Sequence, residues 1–218
     1  MTLHRPLARL LLAGLTAATA TLMPLAAHAQ ATKIKMVLNW KYEGPQAWFF
    51  IAQDKGYFKA EGLDVEIDQG AGSAASIPKV ASGAYQAGFG DLNAVIDLAA
   101  KRPAEAPVAV YMIYNTPPFT IVVKNDSPIK TPKDLEGKTV GGPASDAALK
   151  LFPGFAKMAN IDASKVNITN MAPNLREQML ARGQVDATFG YVTTVSFSAK
   201  AMGMDPAKDL RFIRYGQY

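Results

Sequence analysis

The side chains that could do chemistry in this sequence are carboxylates, lysines, amides and hydroxyls. Both histidines, His4 and His28, lie near the N-terminus, and the chain has no cysteine. A chain that starts after Ala29 would lack the imidazole base of a Ser-His pair, a thiol nucleophile, and the nitrogen and sulfur ligands of most zinc and copper sites. This composition weighs against an enzyme while leaving carboxylate and lysine chemistry open, and it predicts no cofactor and no metal.

The N-terminal residues have the composition of a secretory signal peptide. Arg5 and Arg9 precede an apolar run, and an Ala-His-Ala sequence at 27–29 fits the small-residue site at which such a segment is cleaved. A membrane anchor is the alternative, but Pro24 and the small residues at the end favour cleavage. No cysteine follows the run to carry a lipid. We therefore expect residues 1–29 to be removed and the rest to be free in the periplasm.

The charge of the remaining chain is modest. Cleavage after Ala29 removes two arginines and no acidic residue, so the net charge falls from +5 to +3. Because the lysines and arginines form no cluster, this balance argues against a nucleic-acid surface. The length is enough to bury one large core or two small ones without disulfides.

Strand-like and helix-like segments alternate along the chain, and they must position the polar side chains that could do chemistry. Lys33–Trp40 is rich in β-formers, residues 45–62 have helical spacing, and Leu63–Gly70 alternates apolar and charged residues. Ser73 is a candidate N-cap for the next helix, and Pro153 is expected to kink or divide a later one. The same alternation returns in the second half, so the sequence predicts an α/β fold with helices packed on a sheet.

One piece of the chain occurs twice, one hundred residues apart. The stretch ASGAYQAGFGD at 81–91 is echoed by ARGQVDATFGY at 181–191, with Ala, Gly, Ala, Phe and Gly in register. In each copy a glycine follows a helix, a strand of small residues comes next, and a second glycine precedes another helix. The echo predicts two similar lobes, although any two strand-helix units could share glycines at these element ends.

Several stretches of the chain resemble one family of transport proteins. The segments LNWKYEGPQAWFFIAQDKGYFKAEGLDVEI, GAYQAGFGD, SPIKTPKDLEGKTVGG and GQVDATFGY are similar to those of the substrate-binding proteins of nitrate, sulfonate, taurine and thiamine-pyrimidine ABC importers. The resemblance extends from Lys33 to Tyr218. It implies the type II periplasmic binding fold, in which two α/β lobes joined by a hinge of two strands close on a solute.

The resemblance also implies how the chain is divided. Residues 1–29 are expected to be the signal peptide, 30–116 the first lobe, 117–213 the second lobe, and 214–218 the start of a return hinge. Proteins of the family continue beyond this point with further helices on the first lobe. The sequence is therefore expected to be a fragment or a C-terminally truncated form.

The resemblance implies a solute site where strand ends and helix N-termini of both lobes face a cleft. Trp40 could stack on a flat solute or only pack, while Ser73 and Asp91 could bind solute or only cap their helices. The candidate ligand-binding residues are Asn39, Trp40, Gly72, Ser73, Ala74, Asp91, Asn93, Asn115, Ser145, Asp146, Tyr191 and Thr193.

The resemblance finally implies a function for the molecule. It would act as a monomer, capture a small anionic or polar-aromatic solute in the periplasm and deliver it to an ABC permease, with no nucleic-acid partner. A related branch consists of thiamine-pyrimidine synthases, which use a histidine and an iron in the cleft, and this chain has Gln46 near the position of that histidine. An enzyme is therefore the second interpretation, and a sensory solute receptor is the third.

Overall fold

Two β-sheets organise the part of the chain that the structure describes. The structure is a computed structural model that describes residues 30–116 and 118–218. The signal-peptide prediction for residues 1–29 lies outside the described residues. Residues Thr32–Tyr218 form one compact unit. Among the described helices, none is long and apolar enough to cross a membrane.

The first sheet has three parallel strands in the order β2-β1-β3. The strands are β1 (Thr32–Val37), β2 (Leu63–Asp68) and β3 (Ala87–Gly88). The helices around it are α1 (Ala47–Asp54), α2 (Tyr57–Ala60), α3 (Ser73–Ala81) and α4 (Leu92–Lys101). The alternating sequence of β2 gives it one buried face, on which Val65 and Ile67 lie in the core.

One prediction for this region had the wrong bounds. The strand predicted to reach Trp40 ends at Val37, because the carbonyls of Asn39 and Trp40 accept hydrogen bonds from Gly72 and Gly70 outside the sheet ladder. Residues 38–46 instead form a loop, which we call the β1–α1 loop. The helical segment predicted for residues 45–62, with Gly56 or Gly62 as its stop, is interrupted at Gly56, which has a left-handed φ of 73°.

The second sheet has five strands in the order β6-β5-β7-β4-β8. The strands are β4 (Phe119–Lys124), β5 (Thr139–Gly142), β6 (Asn167–Asn170), β7 (Ala187–Tyr191) and β8 (Leu210–Arg214). Strand β5 runs parallel to β6 and β7, whereas β4 is antiparallel to β7 and β8. The helices are α5 (Ala147–Met158), α6 (Arg176–Ala181), α7 (Val192–Ala201) and α8 (Pro206–Asp209). Helix α5 continues through Pro153 and is not divided there.

The two copies of the echoed sequence occupy the same order of elements. In the first copy α3 is followed by β3 and α4, and in the second α6 is followed by β7 and α7. Gly83 and Gly183 have matching positive φ angles of 77° and 69° after their helices. Ala87 pairs with Met36 and Ala187 pairs with Val140, so each echoed strand lies beside the first strand of its own βαβ unit. We call the parts built on the two sheets the first and second lobes. Their predicted bounds, 30–116 and 117–213, stay predictions.

The two lobes differ in the size of their cores. The buried cluster of the first lobe contains Leu38, Val65 and Ile67, with partly buried side chains packed around it. The second lobe has a much larger cluster around Phe152 and Phe189 on one side of its sheet, and a further cluster of buried apolar side chains. Because apolar burial is the main favourable term in folding, the second lobe is the more stable support for a site.

Candidate functional site

A narrow cleft lies where the β1–α1 loop and the start of α3 meet helices of the second lobe. Both lobes contribute side chains to its wall. The cavity has a volume of about 10 Å³, which is room for about one water molecule. Its lining residues are Asn39, Trp40, Gly72, Ser73, Asp146, Ala147, Arg176, Tyr191 and Thr194.

Contacts between the lobes hold this cleft shut. The backbone N–H of Ala74 donates to the Ser145 carbonyl oxygen at 3.2 Å, so this predicted ligand donor is already used. The Ser198 hydroxyl donates to Glu43 Oε1 at 2.7 Å in a second contact between the lobes. Ligand sites usually have volumes of about 300–1,000 Å³. The structure is therefore a closed form, and a solute can enter only if the lobes separate.

Arg176, at the start of α6, is the largest fully buried side chain of the cleft, and sequence analysis did not find it. It is 1% exposed. Its Nε and Nη2 atoms donate to Glu177 Oε1 at 2.8 and 2.6 Å, and Nη1 lies 3.7 Å from Asp146 Oδ2. An arginine in a short polar helix is usually exposed, so the local sequence has no signal for this burial.

The indole of Trp40 contacts the second lobe through this arginine. The Arg176 guanidinium carbon lies 4.6 Å from the ring centroid, which is cation–π geometry. The flat face predicted to be available for a solute is therefore covered by Arg176 in the closed form. The Trp40 Nε1–H is buried and has no hydrogen-bond partner among the described residues. An unpaired buried donor is unfavourable by about 1–3 kcal/mol, and a solute acceptor could satisfy it.

The side chain of Asp146 performs two tasks. Its Oδ1 atom caps α5 by accepting from the backbone N–H groups of Ala148 and Leu149 at 2.7 and 3.2 Å. Its Oδ2 atom accepts no hydrogen bond within the described residues and lies beside Arg176 in the cavity wall. Burial raises the pKa of Asp146, and the neighbouring guanidinium of Arg176 opposes that shift.

We expect Asp146→Asn to be at least as stable as the wild type at pH 7. Because the folded pKa lies above the unfolded value, the stabilising contribution of Asp146 is complete below the unfolded pKa and is lost as the pH rises through the folded pKa. Asparagine caps a helix as well as aspartate does, whereas Asp146→Ala should lose about 1 kcal/mol. Urea denaturation at a series of pH values above the unfolded pKa of about 4 should show Asp146→Asn gaining on the wild type as the pH rises. If the free energy of unfolding of Asp146→Asn fell relative to that of the wild type as the pH rises, the prediction would be wrong.

The start of α3 differs from the prediction. The N-cap is Gly72, and Ser73 is the first helical residue, so the prediction of Ser73 as the cap was wrong. The Ser73 hydroxyl accepts a hydrogen bond from the backbone N–H of Asp91 at 3.0 Å and thereby ties α3 to the start of α4. Gly72 has a φ of 127°, and a Cβ atom there would overlap the Ser145 carbonyl of the other lobe.

Three of the predicted residues line a second, wider groove instead of the cleft. Asp91, Asn93 and Asn115 belong to this groove, whose volume is about 910 Å³. Asp91 caps α4 through Asn93 N–H at 3.0 Å, and burial raises its pKa. The groove is bordered by the extended residues 107–114, in which Val110 is 89% exposed.

Tyr191 and its neighbours complete the cleft wall. Tyr191 lines both cavities, and burial raises its pKa well above the ordinary value, with Asp91 and Asp146 adding to the shift. Thr193 is exposed, and Thr194, the next residue of α7, lines the cleft. The helix starts at Val192, so Thr194 faces the cleft and Thr193 faces the surface. That either threonine contacts a solute stays a prediction.

The structure thus brings together part of the predicted set. Six of the predicted residues line the closed cleft: Asn39, Trp40, Gly72, Ser73, Asp146 and Tyr191. Ala74 and Ser145 contact each other across it, and the others lie in the groove or on the surface. That any of them binds a solute stays a prediction.

Comparison with known proteins shows the family. The NMT1/THI5-like family profile matches residues 45–218, which is most of the chain. The chain belongs to the NMT1/THI5-like family. This NMT1/THI5-like chain is 25% identical over 158 residues to a formylaminopyrimidine-binding protein of Halalkalibacterium halodurans, an alignment that covers 72% of this chain and 47% of that protein. It is 28% identical over 160 residues to a 4-amino-5-hydroxymethyl-2-methylpyrimidine phosphate synthase of Aspergillus parasiticus, covering 72% and 45%.

Solved structures confirm the fold of this NMT1/THI5-like chain. The alkanesulfonate-binding protein SsuA of Xanthomonas axonopodis pv. citri, bound to MOPS, superposes with a TM-score of 0.63 at 17% identity, covering 85% of this chain and 61% of that one. The predicted type II periplasmic binding fold is therefore confirmed. The chain spans about half the length of the curated relatives it matches.

Proposed function

We propose that this chain is a periplasmic solute-binding protein that encloses a small solute between its two lobes and delivers it to an ABC permease. The observation that carries the proposal is the cleft, because its wall comes from both lobes and is lined by buried polar groups. Solute-binding proteins of this architecture close by hinge motion around their ligands. The sulfonate-bound and pyrimidine-binding names among the relatives support the same kind of function.

Binding should be visible as stabilisation of the closed form. A ligand that binds only the folded protein adds about 2.7 kcal/mol at a hundredfold excess over Kd. We expect at least one solute in a thermal-shift panel of sulfonates, nitrate, aromatic carboxylates and aminopyrimidines to raise the melting temperature of the chain. No shift with any of them would contradict the proposal.

The location of binding can be tested with the two tryptophans. Trp40 lines the cleft, whereas Trp48 lies on α1, is 37% exposed and does not line the cleft. For a solute that binds, Trp40→Ala should weaken the affinity by about tenfold, and Trp48→Ala should leave it unchanged. Equal effects of the two substitutions would place the solute elsewhere.

The second candidate is an enzyme of the thiamine-pyrimidine synthase type. The name of the Aspergillus parasiticus relative favours it. Gln46, which lies near the position of the synthase histidine, is buried, and its Nε2 lies 3.5 Å from Asn39 Oδ1. A glutamine amide has no basic nitrogen with which to replace the imidazole expected of the histidine in that branch. Steady conversion of a bound solute would favour this candidate over the binding protein.

A further inference from the structure

The closed form that the structure describes has no room for a solute larger than a water molecule. Its cleft has a volume of about 10 Å³, whereas sites for small molecules usually have about 300–1,000 Å³. The Arg176 guanidinium carbon and the Trp40 ring centroid are 4.6 Å apart, so these two walls of the cleft are in direct contact. A form closed on a solute must therefore hold the walls further apart than this fully closed form does.

A hydrogen bond outside the cleft stabilises the fully closed form. The Ser198 hydroxyl of the second lobe donates to Glu43 Oε1 of the first lobe at 2.7 Å. Neither residue lines the cleft. Ser198 is buried, and the Glu43 side chain is 8% exposed, with Lys41 Nζ 2.7 Å from the same oxygen. Glu43 Oε2 is buried and accepts no hydrogen bond among the described residues, so the carboxylate depends on Ser198 whenever the lobes are shut.

The elements that make this hydrogen bond also form the cleft wall. Glu43 follows Trp40 by three residues in the β1–α1 loop, and Ser198 follows Thr194 by one turn on the same face of α7. Because Trp40 and Thr194 both line the cleft, a separation that admits a solute between them also moves the loop with Glu43 away from α7. A hydrogen bond between two oxygens does not persist beyond about 3.5 Å. The bond therefore belongs to the fully closed form and is lost when a solute enters.

We infer that the Ser198–Glu43 hydrogen bond is an autoinhibitory latch, which stabilises a closed form that excludes the solute and thereby lowers the affinity of the protein for it. The inference rests on the proposed function and adds a control that acts without touching the solute. A protein whose binding-competent form is only partly populated has its apparent affinity reduced by that fraction. Weakening the latch should therefore strengthen binding, by the same factor for every solute.

Ser198→Ala removes the latch and leaves the cleft wall unchanged. Alanine is the best helix former, so α7 should stay folded, whereas in the fully closed form Glu43 would be a buried carboxylate without its hydroxyl donor. Losing a hydrogen bond to a charged group should reduce the population of the fully closed form, relative to the open one, by about tenfold. The amide hydrogen of Ala74, which bonds to Ser145 across the cleft, should then exchange about tenfold faster.

Calorimetry on the full chain measures the effect of the latch on binding. The probes are methanesulfonate, nitrate, benzoate and 4-aminopyrimidine, one from each class in the thermal-shift panel. Every probe that binds should bind Ser198→Ala more tightly than the wild type by one common factor, of up to about tenfold. A role of Ser198 in folding alone would not strengthen binding.

Two substitutions on the same helix complete the test. The Phe197 ring contacts Gly44 beside the latch, and Phe197 is 47% exposed, so Phe197→Ala should leave the lobe folded and strengthen binding in the same way. Ser196 is half-buried on α7 and is not the partner of Glu43. Ser196→Ala should leave both the exchange of Ala74 and the affinities unchanged.

The outcomes separate the latch from the binding function on which it rests. Weaker binding of the probes by Ser198→Ala would show that the hydrogen bond belongs to the solute-bound form, which would overturn the latch and leave the solute-binding function intact. Faster exchange of Ala74 with unchanged affinity would show that the fully closed form does not compete with the solute, and it would overturn the latch as well. Failure of all four probes to bind either protein would overturn both the function and the inference.

Discussion

Arg176→Ala should lower the free energy of unfolding by about 3–5 kcal/mol, because it leaves buried carboxylates without their cation. Glu177 would lose both of its hydrogen bonds from the guanidinium, and Asp146 would lose its neighbouring positive charge. The Trp40 indole would also lose its cation–π contact. Urea denaturation at pH 7 measures the effect.

Arg182 provides the matched control for this substitution. It is an exposed arginine immediately after the same helix, α6. Arg182→Ala should change stability by no more than about 0.5 kcal/mol. Combining Arg176→Met with Asp146→Asn and Glu177→Gln removes the carboxylate charges as well and should recover most of the loss. If Arg176→Ala and Arg182→Ala were equally mild, the buried ion cluster would have no energetic importance.

Gly72→Ala should open the cleft without unfolding either lobe. The added Cβ would overlap the Ser145 carbonyl of the other lobe, so the closed form becomes overpacked while an open form is relieved. Overpacking is unfavourable by about 1–3 kcal/mol, which corresponds to a roughly 5–150-fold fall in the population of the closed form. The amide hydrogen of Ala74, which bonds to Ser145 across the cleft, should exchange faster by a similar factor.

The left-handed backbone of Gly72 requires its own control. Gly83→Ala introduces the same kind of strain, since Gly83 has a φ of 77°, but its Cβ would contact no atom within 4 Å. It should lower stability modestly and leave Ala74 exchange unchanged. Faster exchange at Ala74 in both variants would show that backbone strain, and not the contact with Ser145, opens the cleft.

The α/β alternation could be predicted from the sequence because its signals are local, whereas the type II periplasmic binding fold was predicted from the family resemblance. Glycine after a helix and alternating apolar residues determine backbone conformation within a few positions. For this reason the α/β alternation and the echoed elements at 81–91 and 181–191 agree with the structure. Bounds were less accurate where a tertiary contact intervenes, as when Gly70 and Gly72 draw Asn39 and Trp40 out of the predicted strand.

The candidate site was only partly predictable, because its decisive contacts join distant residues. No pattern near Arg176 indicates that it is buried beneath Trp40, which lies in the other lobe. The capping role of Asp146 follows from its position before α5, but its free Oδ2 atom becomes visible only beside Arg176. Which of Thr193 and Thr194 faces the cleft depends on where α7 begins, and sequence patterns locate helix ends only to within one or two residues.

The unequal cores of the two lobes determine the order in which the chain can fold during its synthesis. The first lobe leaves the ribosome first, yet its buried cluster consists of Leu38, Val65 and Ile67. Such a core offsets little of the conformational entropy of its chain, so this half should stay unfolded until the second sheet exists. Two contacts with the second lobe then help to order the first lobe as it folds: the hydrogen bond from Ser198 to Glu43 and the contact of Phe197 with Gly44.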